Sequence, residues 1–256
     1  MTKISIITTC FGREDILKTS LESLFNSDLP WEDISLTYVD DATPNDAVIN
    51  LLKEFKPRAT CDFSIIKLPK NSASGPAANA GVKFVTDRYD PEFLMITDSD
   101  IIYKKKWLQH LLDVYYYLEN HVINIEQFQS VNVATYAWSK NTQRTLNRNM
   151  RCRVVGGYNS VYHPHCMYID LGGFSGAGIK TTNGMCNWLM KTETMKEIGE
   201  FSRIDPDWKW VDKLYSHGYF IANTIPSVVQ HIGHSGTHHF KKNRNLEFAA
   251  DFVEQI

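Results

Sequence analysis

The sequence predicts an α/β fold, a single domain in which a mostly parallel sheet carries helices on both faces. In the first hundred residues, short β-branched apolar runs alternate with stretches of helical periodicity, an order typical of parallel sheets. The 256 residues are 43% hydrophobic and 22% charged, which suits one soluble globular unit. No linker, repeat or low-complexity tract divides the chain, so we interpret 1–256 as one domain.

Four strands and three helices are predicted in the first half. Each strand is a short apolar run, and each helix opens with a start signal: an acidic first turn at Glu14 and Asp15, or a proline, Pro44 or Pro76. The predicted strands are Ile4–Cys10, Ile34–Val39, Phe63–Leu68 and Phe93–Thr97, and the helices cover Leu17–Leu24, Val48–Phe55 and Ala77–Phe84.

The second half alternates less regularly. A Gly-rich stretch, 172–178, reads as a loop. The predicted helices are Trp107–Tyr115, Glu193–Ile198 and Asp207–His217, and the predicted strands are Asn187–Lys191 and Tyr219–Asn223.

Charge and composition exclude several classes of protein. With 27 Lys and Arg against 29 Asp and Glu, a basic nucleic-acid coat or a polybasic membrane anchor is not expected. No run approaches the roughly 18 apolar residues of a membrane span, and Met1-Thr2-Lys3 leads into the first strand without a signal-peptide core, so we expect a cytoplasmic protein. The five cysteines are scattered without C-x-x-C spacing, which favours reduced thiols.

Polar side chains follow each predicted strand of the first half. They are Thr8 and Thr9, then Asp40-Asp41, then 71–75, and finally Asp98-Ser99-Asp100. Ligands of parallel sheets gather at the carboxyl ends of strands. Two carboxylates spaced two residues apart there provide hard oxygen ligands for Mg²⁺ or Mn²⁺ carrying substrate phosphates. The alternative is that the acidic pair only caps the next helix.

Three segments, about 30 residues apart, give the chain a family resemblance. Val39-Asp40-Asp41-Ala42-Thr43, the stretch Asn71–Gly81 and Met95–Asp100 resemble, in this order, the V-D-D-G-S, N-x-G-x-x-x-A-x-N-x-G and D-x-D elements of family 2 glycosyltransferases with the GT-A fold. In the second half, Met195–Phe201 is similar to the acceptor-side element of that family. Trp210–Leu214 with Gly218-Tyr219 is similar to the segment that bears its catalytic base.

The resemblance implies an enzyme that moves a sugar from a nucleotide-diphosphate sugar, most often a UDP-sugar, to an acceptor hydroxyl with inversion. It also implies a Mn²⁺ or Mg²⁺ cofactor, a nucleotide-sugar-binding half at 1–103, and a half at 104–256 for the acceptor and the base. Carried over by position, the donor-binding residues are Thr8, Thr9, Glu14, Asp41, Asn71, Asn79 and Asp98; the metal ligands are Asp100, Asp98 and His231; the base is Asp212; and Trp188 and Trp210 lie on the acceptor side.

The chain departs from the family pattern at several positions. Val211 replaces the acidic neighbour of the base, so Asp212 as a mere surface acid stays an alternative. Ser74-Gly75-Pro76 stands where the family has basic or polar residues, so phosphate contacts must come from Arg13 or from 127–169. His234 competes with His231 as a metal ligand.

Residues 127–169 hold no Asp or Glu. This stretch contains Lys140, Arg144, Arg148, Arg151 and Arg153. It suits a donor phosphate, an anionic glycan or lipid phosphate, or, less favoured, a nucleic-acid acceptor; a solvated loop is the plain alternative. Two other functions also stay open: a non-catalytic nucleotide or saccharide binder, and a sugar-nucleotide pyrophosphorylase, although Thr8–Arg13 lacks the Gly-rich basic signature of the latter.

Overall fold

A computed structural model gives the fold of the chain. It describes residues 3–124, 149–160, 163, 165–172, 175–180, 183–233, 249 and 251–252. The strands are β1 Ile4–Cys10, β2 Ile34–Asp40, β3 Asp62–Lys67, β4 Phe93–Asp98, β5 Ile101–Tyr103, β6 Val122–Asn124, β7 Asn149–Gly156, β8 His165–Gly172, β9 Ser175–Lys180, β10 Asn187–Lys191, β11 Tyr219–Ile225 and β12 Val229–His231. The helices are α1 Glu14–Phe25, α2 Ala47–Phe55, α3 Ser74–Tyr89, α4 Trp107–Glu119, α5 Thr192–Ile198 and α6 Pro206–Ser216, with a 3₁₀ turn at Lys56–Arg58.

One large sheet forms the centre of the protein. Its order is β3-β2-β1-β4-β10-β7-β11-β9-β8, and β6 pairs with β7 at the side. Within this nine-strand path of described residues, seven strands run in one direction and only β9 and β10 oppose them. Helices flank the sheet, with α3 against β1 and β2 and α4 against β7. The predicted α/β class with a mostly parallel sheet is therefore confirmed.

The two halves of the chain meet inside this sheet. Strand β10 pairs antiparallel with β4, from Asn187 opposite Thr97 to Lys191 opposite Phe93. All seven residues of β1 and of β2 are buried, as expected for strands covered on both faces. The described part of 104–256 therefore packs into the same sheet as 1–103. That 1–103 binds the nucleotide sugar and 104–256 binds the acceptor stays a prediction.

The described residues of the Gly-rich stretch lie in strands rather than in the predicted loop: Gly172 ends β8, and 175–178 lie in β9. Strands β8 and β9 pair antiparallel through it. A Cβ atom added at Gly176 would overlap the ring of Tyr168, and one added at Gly178 would overlap the ring of His165. The glycines therefore make room for aromatic side chains on the facing strand, a reason that sequence periodicity does not reveal.

Candidate active site at the carboxyl edge of the sheet

The carboxyl ends of β1, β2 and β4 lie side by side and bring the polar rim together. Thr9 stands opposite Val39 on one side and Asp98 on the other. The loops that follow the first three strands contain non-glycine residues with left-handed φ: Arg13 at 57°, Ala42 at 63° and Ala73 at 77°. Such strain often marks functional loops, and here it lies around one edge of the sheet.

Asp41 fixes the loop that precedes α3. Its carboxylate accepts hydrogen bonds from the backbone N–H and the hydroxyl of Ser72, both at 2.7 Å, and from the backbone N–H of Ala73 at 2.9 Å. The Asn71 amide donates to the Asp41 carbonyl at 3.3 Å. Asp41 and Asn71, both predicted to bind the sugar donor, are thus in contact with each other. In this structure their hydrogen bonds shape the loop before α3.

The D-x-D pair lies beside two basic side chains. Asp100 is 3% exposed; its Oδ2 atom is 2.9 Å from the Arg13 guanidinium and 3.3 Å from Nε2 of His231. Its Oδ1 atom is buried and, within the described part of the chain, has no hydrogen-bond partner. His231 arrives from β12, more than a hundred residues away, so the structure joins the predicted ligands Asp100 and His231.

The charges in this cluster shift each other's protonation. Removal from water and repulsion by Asp100 raise the pKa of Asp98 above its ordinary value. Burial alone would raise the pKa of Asp100 as well, but hydrogen bonding and charge from His231 and Arg13 outweigh it and hold the pKa low. Burial would lower the pKa of His231, yet its bond to Asp100 raises it. The carboxylates therefore need a positive charge beside them.

Cys186 is the third side chain of a metal-like cluster. One ligand atom each from Asp98, Cys186 and His231 lies within 4.8 Å of the other two. Burial and the neighbouring carboxylates Asp98, Asp100 and Asp207 raise the pKa of the Cys186 thiol well above its ordinary value. A carboxylate, an imidazole and a thiol are all donors that divalent cations accept, so this cluster fits a cation.

A two-stranded sheet closes over the D-x-D pair. Strand β12 pairs antiparallel with β5, with His231 opposite Ile101, and the N–H of Ile232 donates to the Asp100 carbonyl at 2.8 Å. Gly233 then passes so close that a Cβ atom there would overlap the Asp100 carboxylate. This short sheet is what places an imidazole beside the carboxylates.

Helix α6 carries two acids, Asp207 and Asp212, which differ in exposure. Asp207 lies in its first turn, half-buried, and its charge acts on Cys186. Asp212, the predicted base, lies further along the same helix and is exposed. Asp207 is thus the less exposed of the two acids, and its charge acts on the cluster.

Three other predicted residues serve the scaffold. Trp188 and Trp210 are 0% and 1% exposed and pack with Phe201, so neither ring offers a face to an acceptor. Trp208, at 40% exposure, reaches the surface of this region. The Asn79 side-chain amide donates to the Phe201 carbonyl at 2.8 Å and accepts from the Phe201 N–H at 2.9 Å. These two hydrogen bonds connect α3 to the segment before α6.

The remaining predicted residues divide into three groups. Thr8 and Thr9 are buried at the end of β1, and Glu14 is half-buried at the start of α1, beside the edge. Arg151 and Arg153 are the third and fifth residues of β7. Because β7 runs in the same direction as β4 and the residue after Arg153, Val154, pairs with Met190, both arginines lie toward the opposite edge of the sheet. Lys140, Arg144, Arg148 and His234 lie outside the described residues.

Two residues of this region, Cys186 and Asp207, do not stand out as site residues in the sequence. Cys186 stands alone in sequence, and no spacing links it to Asp98, so only the β4–β10 pairing reveals it. Asp207 carried a usable signal, because an acid directly after Pro206 marks the first turn of a helix.

Comparison with known proteins identifies the family. Residues 5–174, more than half of the chain, match the profile of "Glycosyl transferase family 2". The chain therefore belongs to glycosyl transferase family 2. Helix α6 lies beyond the matched residues.

Two curated proteins of Bacillus are similar in sequence. A poly(ribitol-phosphate) beta-glucosyltransferase of Bacillus spizizenii is 28% identical over 98 residues, which is 38% of this chain and 15% of that protein. The minor teichoic acid biosynthesis protein GgaA of Bacillus subtilis is 29% identical over 122 residues, 47% of this chain and 26% of that protein. The matches thus span about a quarter or less of the length of these relatives.

Solved structures share the fold. The mannosyltransferase PcManGT from Pyrobaculum calidifontis in complex with GDP-Man and Mn²⁺ superposes with a TM-score of 0.55 at 11% identity, over 86% of this chain and 56% of that one. S. aureus TarS 1-349 in complex with UDP-GlcNAc gives 0.53 at 14% identity, over 87% of this chain and 58% of that one. Among the described residues, no helix has the length and apolar character needed to cross a membrane.

Proposed function

We propose that this protein is a cation-dependent glycosyltransferase that moves a sugar from a UDP-sugar to an acceptor hydroxyl with inversion. The observation that carries the proposal is the cluster of Asp98, Asp100 and His231 at the carboxyl edge of the sheet, where Oδ2 of Asp100 lies 3.3 Å from the imidazole. Membership in glycosyl transferase family 2 supports the reaction class. The nucleotide sugars bound to PcManGT and TarS support the donor class.

The donor would bind across the carboxyl edge. Thr8, Thr9 and Glu14 lie at or just beyond the end of β1, and Asp41 with Asn71 shapes the neighbouring loop. Three hydrogen bonds hold the Asp41 carboxylate, two from N–H groups and one from a hydroxyl. The loop is therefore fixed before the nucleotide sugar binds, which lowers the conformational entropy lost on binding. Arg13, one-third exposed beside Asp100, would contact the donor diphosphate.

Asp98, Asp100 and His231 would hold the cation. A bound divalent cation stabilises the negative charge that develops on the departing diphosphate. In the absence of a cation, Arg13 balances part of the negative charge of Asp100. Oδ1 of Asp100 is buried without a hydrogen-bond partner among the described residues, which supports a cation here because a buried charged oxygen without a partner is costly.

We propose Asp207 as the general base. Its carboxylate would accept the acceptor hydroxyl proton while the hydroxyl oxygen bonds to the anomeric carbon, and the bond to the diphosphate breaks with its electron pair leaving on UDP. One displacement of this kind inverts the anomeric configuration. Asp212 remains the competing prediction, and its exposure on α6 is the reason that we prefer Asp207.

The direct test is UDP release from a panel of UDP-sugars in the presence of Mn²⁺ or Mg²⁺. We expect turnover with at least one donor, and a loss of roughly 10²- to 10⁴-fold in kcat for Asp207→Asn, with donor binding by calorimetry preserved. Asp212→Asn is the matched control on the same helix and should retain near-normal turnover. The reverse pattern would make Asp212 the base. Donor binding without any product would instead favour a non-catalytic binder.

The first acceptor to test is a polyol-phosphate polymer. The name of one relative contains poly(ribitol-phosphate), and the name of the other contains teichoic acid. Product formation on poly(ribitol-phosphate) but not on a neutral polyol would support an anionic acceptor. Equal transfer to both would show that phosphate is not recognised.

A further inference from the structure

We propose that Cys186 is a ligand of the cation, so that the site prefers cobalt- or zinc-like cations over Mg²⁺. This rests on the proposed function only in that the site binds a divalent cation. The sequence alone predicts hard oxygen ligands at Asp98 and Asp100. The structure adds a sulfur atom, because the ligand atoms of Asp98, Cys186 and His231 all lie within 4.8 Å of one another.

The backbone fixes Cys186 beside the D-x-D segment. Its carbonyl accepts the N–H of Asp98 at 2.9 Å and the hydroxyl of Thr97 at 3.1 Å. Asn187, the next residue, stands opposite Thr97 in the β4–β10 ladder. The thiol is therefore held near the carboxylate by main-chain pairing and not by a mobile loop.

A second observation concerns Asp100, which follows Asp98 by two residues and contacts His231. Asp100 is 3% exposed, and its Oδ1 atom is buried without a hydrogen-bond partner among the described residues. The other oxygen, Oδ2, contacts Arg13 and His231. A cation beside Cys186 and Asp98 would also offset the charge repulsion between Asp98 and Asp100.

The set of donors determines which cations fit. Thiolate and imidazole favour borderline metals such as Co²⁺ and Zn²⁺, whereas Mg²⁺ prefers oxygen ligands only. On binding, the S–H bond of Cys186 breaks, its proton passes to solvent, and a sulfur–metal bond forms. No electron is transferred, so no oxidant or reductant is required.

The test uses Co²⁺ as a spectroscopic probe of the full chain after treatment with a chelator. We expect a near-ultraviolet thiolate-to-cobalt charge-transfer band in the wild type that saturates with added Co²⁺. Cys186→Ser should abolish the band and weaken Co²⁺ binding by about tenfold or more, while changing Mg²⁺ binding much less. The matched control is Cys61→Ser, because Cys61 is a free, partly exposed cysteine outside the cluster, and this variant should keep the band.

Two results would overturn the assignment: no charge-transfer band in the wild type, or a band that persists in Cys186→Ser. UDP release with Mn²⁺, measured on the same preparations, reports separately on the proposed function. Normal UDP release without a thiolate band would thus reject Cys186 as a ligand and leave the glycosyltransferase proposal in place. A band without UDP release would do the opposite.

Discussion

At the scale of single residues, the site depends on a guanidinium that balances a buried carboxylate. Arg13 contacts Asp100 at 2.9 Å, and its side chain is 34% exposed whereas that of Asp100 is 4% exposed. Without Arg13, Asp100 would repel Asp98 with only His231 to offset the charge. Arg13 therefore holds the two carboxylates together when no cation is bound.

Arg13→Met should destabilise the cation-free protein by about 1–3 kcal/mol, because it leaves a buried charge with fewer partners. Added Mn²⁺ should restore more stability to this variant than it adds to the wild type. Urea unfolding with and without Mn²⁺ measures both effects. Lys83→Met is the control, since Lys83 pairs with Asp87 at an exposed position and should cost well under about 1 kcal/mol. Equal losses in the two variants would contradict a special role for Arg13.

Ala42 offers a stability test of the rim. Its φ of 63° lies in the left-handed region, which costs an L-residue about 1–2 kcal/mol. Glycine avoids this cost, but its more flexible unfolded chain offsets about 0.5–1 kcal/mol of the benefit. Ala42→Gly should therefore raise the free energy of unfolding by up to about 1 kcal/mol. Ala80→Gly, in the middle of α3, should lower it by about 1 kcal/mol. A loss of stability at both positions would show that Ala42 is not strained.

Lys180 predicts a pH dependence away from the site. Its side chain is fully buried, its Nζ donates to the Ser160 carbonyl at 2.7 Å, and burial lowers its pKa from 10.5 to about 7, against the attraction of Asp251. The unfolded chain therefore holds more protons between these two values, and stability rises with pH across that window.

Compared with Lys180→Met, the wild type should gain about 2 kcal/mol of unfolding free energy between pH 7 and pH 9. Urea titrations of both proteins at the two pH values measure the difference. A parallel pH response in the two proteins would mean that Lys180 keeps an ordinary pKa.

At the scale of elements, a close contact between α3 and the start of α6 positions Asp207. A Cβ atom at Gly75 would overlap the Ser202 carbonyl oxygen and lie 2.8 Å from Cβ of Pro206. The Asn79 amide bonds to the Phe201 backbone one turn further along α3. The small residues of Ser74-Gly75-Pro76, a departure from the family pattern, therefore allow α6 to approach the rim.

Gly75→Ala should push the first turn of α6 away from the cluster. We expect kcat for UDP release to fall by at least about tenfold, since small displacements of catalytic groups cost large factors in rate, while the Kd for the donor changes little. Ser74→Ala, at an exposed position in the same turn, should leave both quantities unchanged. A parallel loss of donor binding in Gly75→Ala would show that α6 is not the element displaced.

A helix or strand is predictable from the sequence when the residues that determine it lie within the segment itself. Strands β1 to β4 and the helices between them are predictable because apolar period and start signals lie within each segment. Strands β5 and β12 are three residues each, too short for any period. The Gly-rich composition of 172–178 predicts a loop, whereas the reason for Gly176 and Gly178 lies in the side chains of the facing strand. In the candidate site, Asp98, Asp100 and His231 were predictable by family motif, whereas Cys186 depends on strand pairing.

At the scale of the whole molecule, the central sheet predicts a single unfolding transition. Strand β4 belongs to 1–103 and pairs along its length with β10 of 104–256, so separating the halves would expose buried residues such as Met95 and Leu189. Thermal unfolding followed by circular dichroism and by tryptophan fluorescence should give coincident curves. Two resolved transitions would show that the halves are separate domains.

The β5–β12 pair has a consequence for the order in which the protein is made. The carboxylates Asp98 and Asp100 are synthesised early, but His231 and the covering Gly233 follow more than a hundred residues later. A chain that stops at residue 228 contains Asp98 and Asp100 but lacks the His231 imidazole that lies beside Asp100 in the full fold. The proposed cation site is therefore complete only after residue 231 has been synthesised.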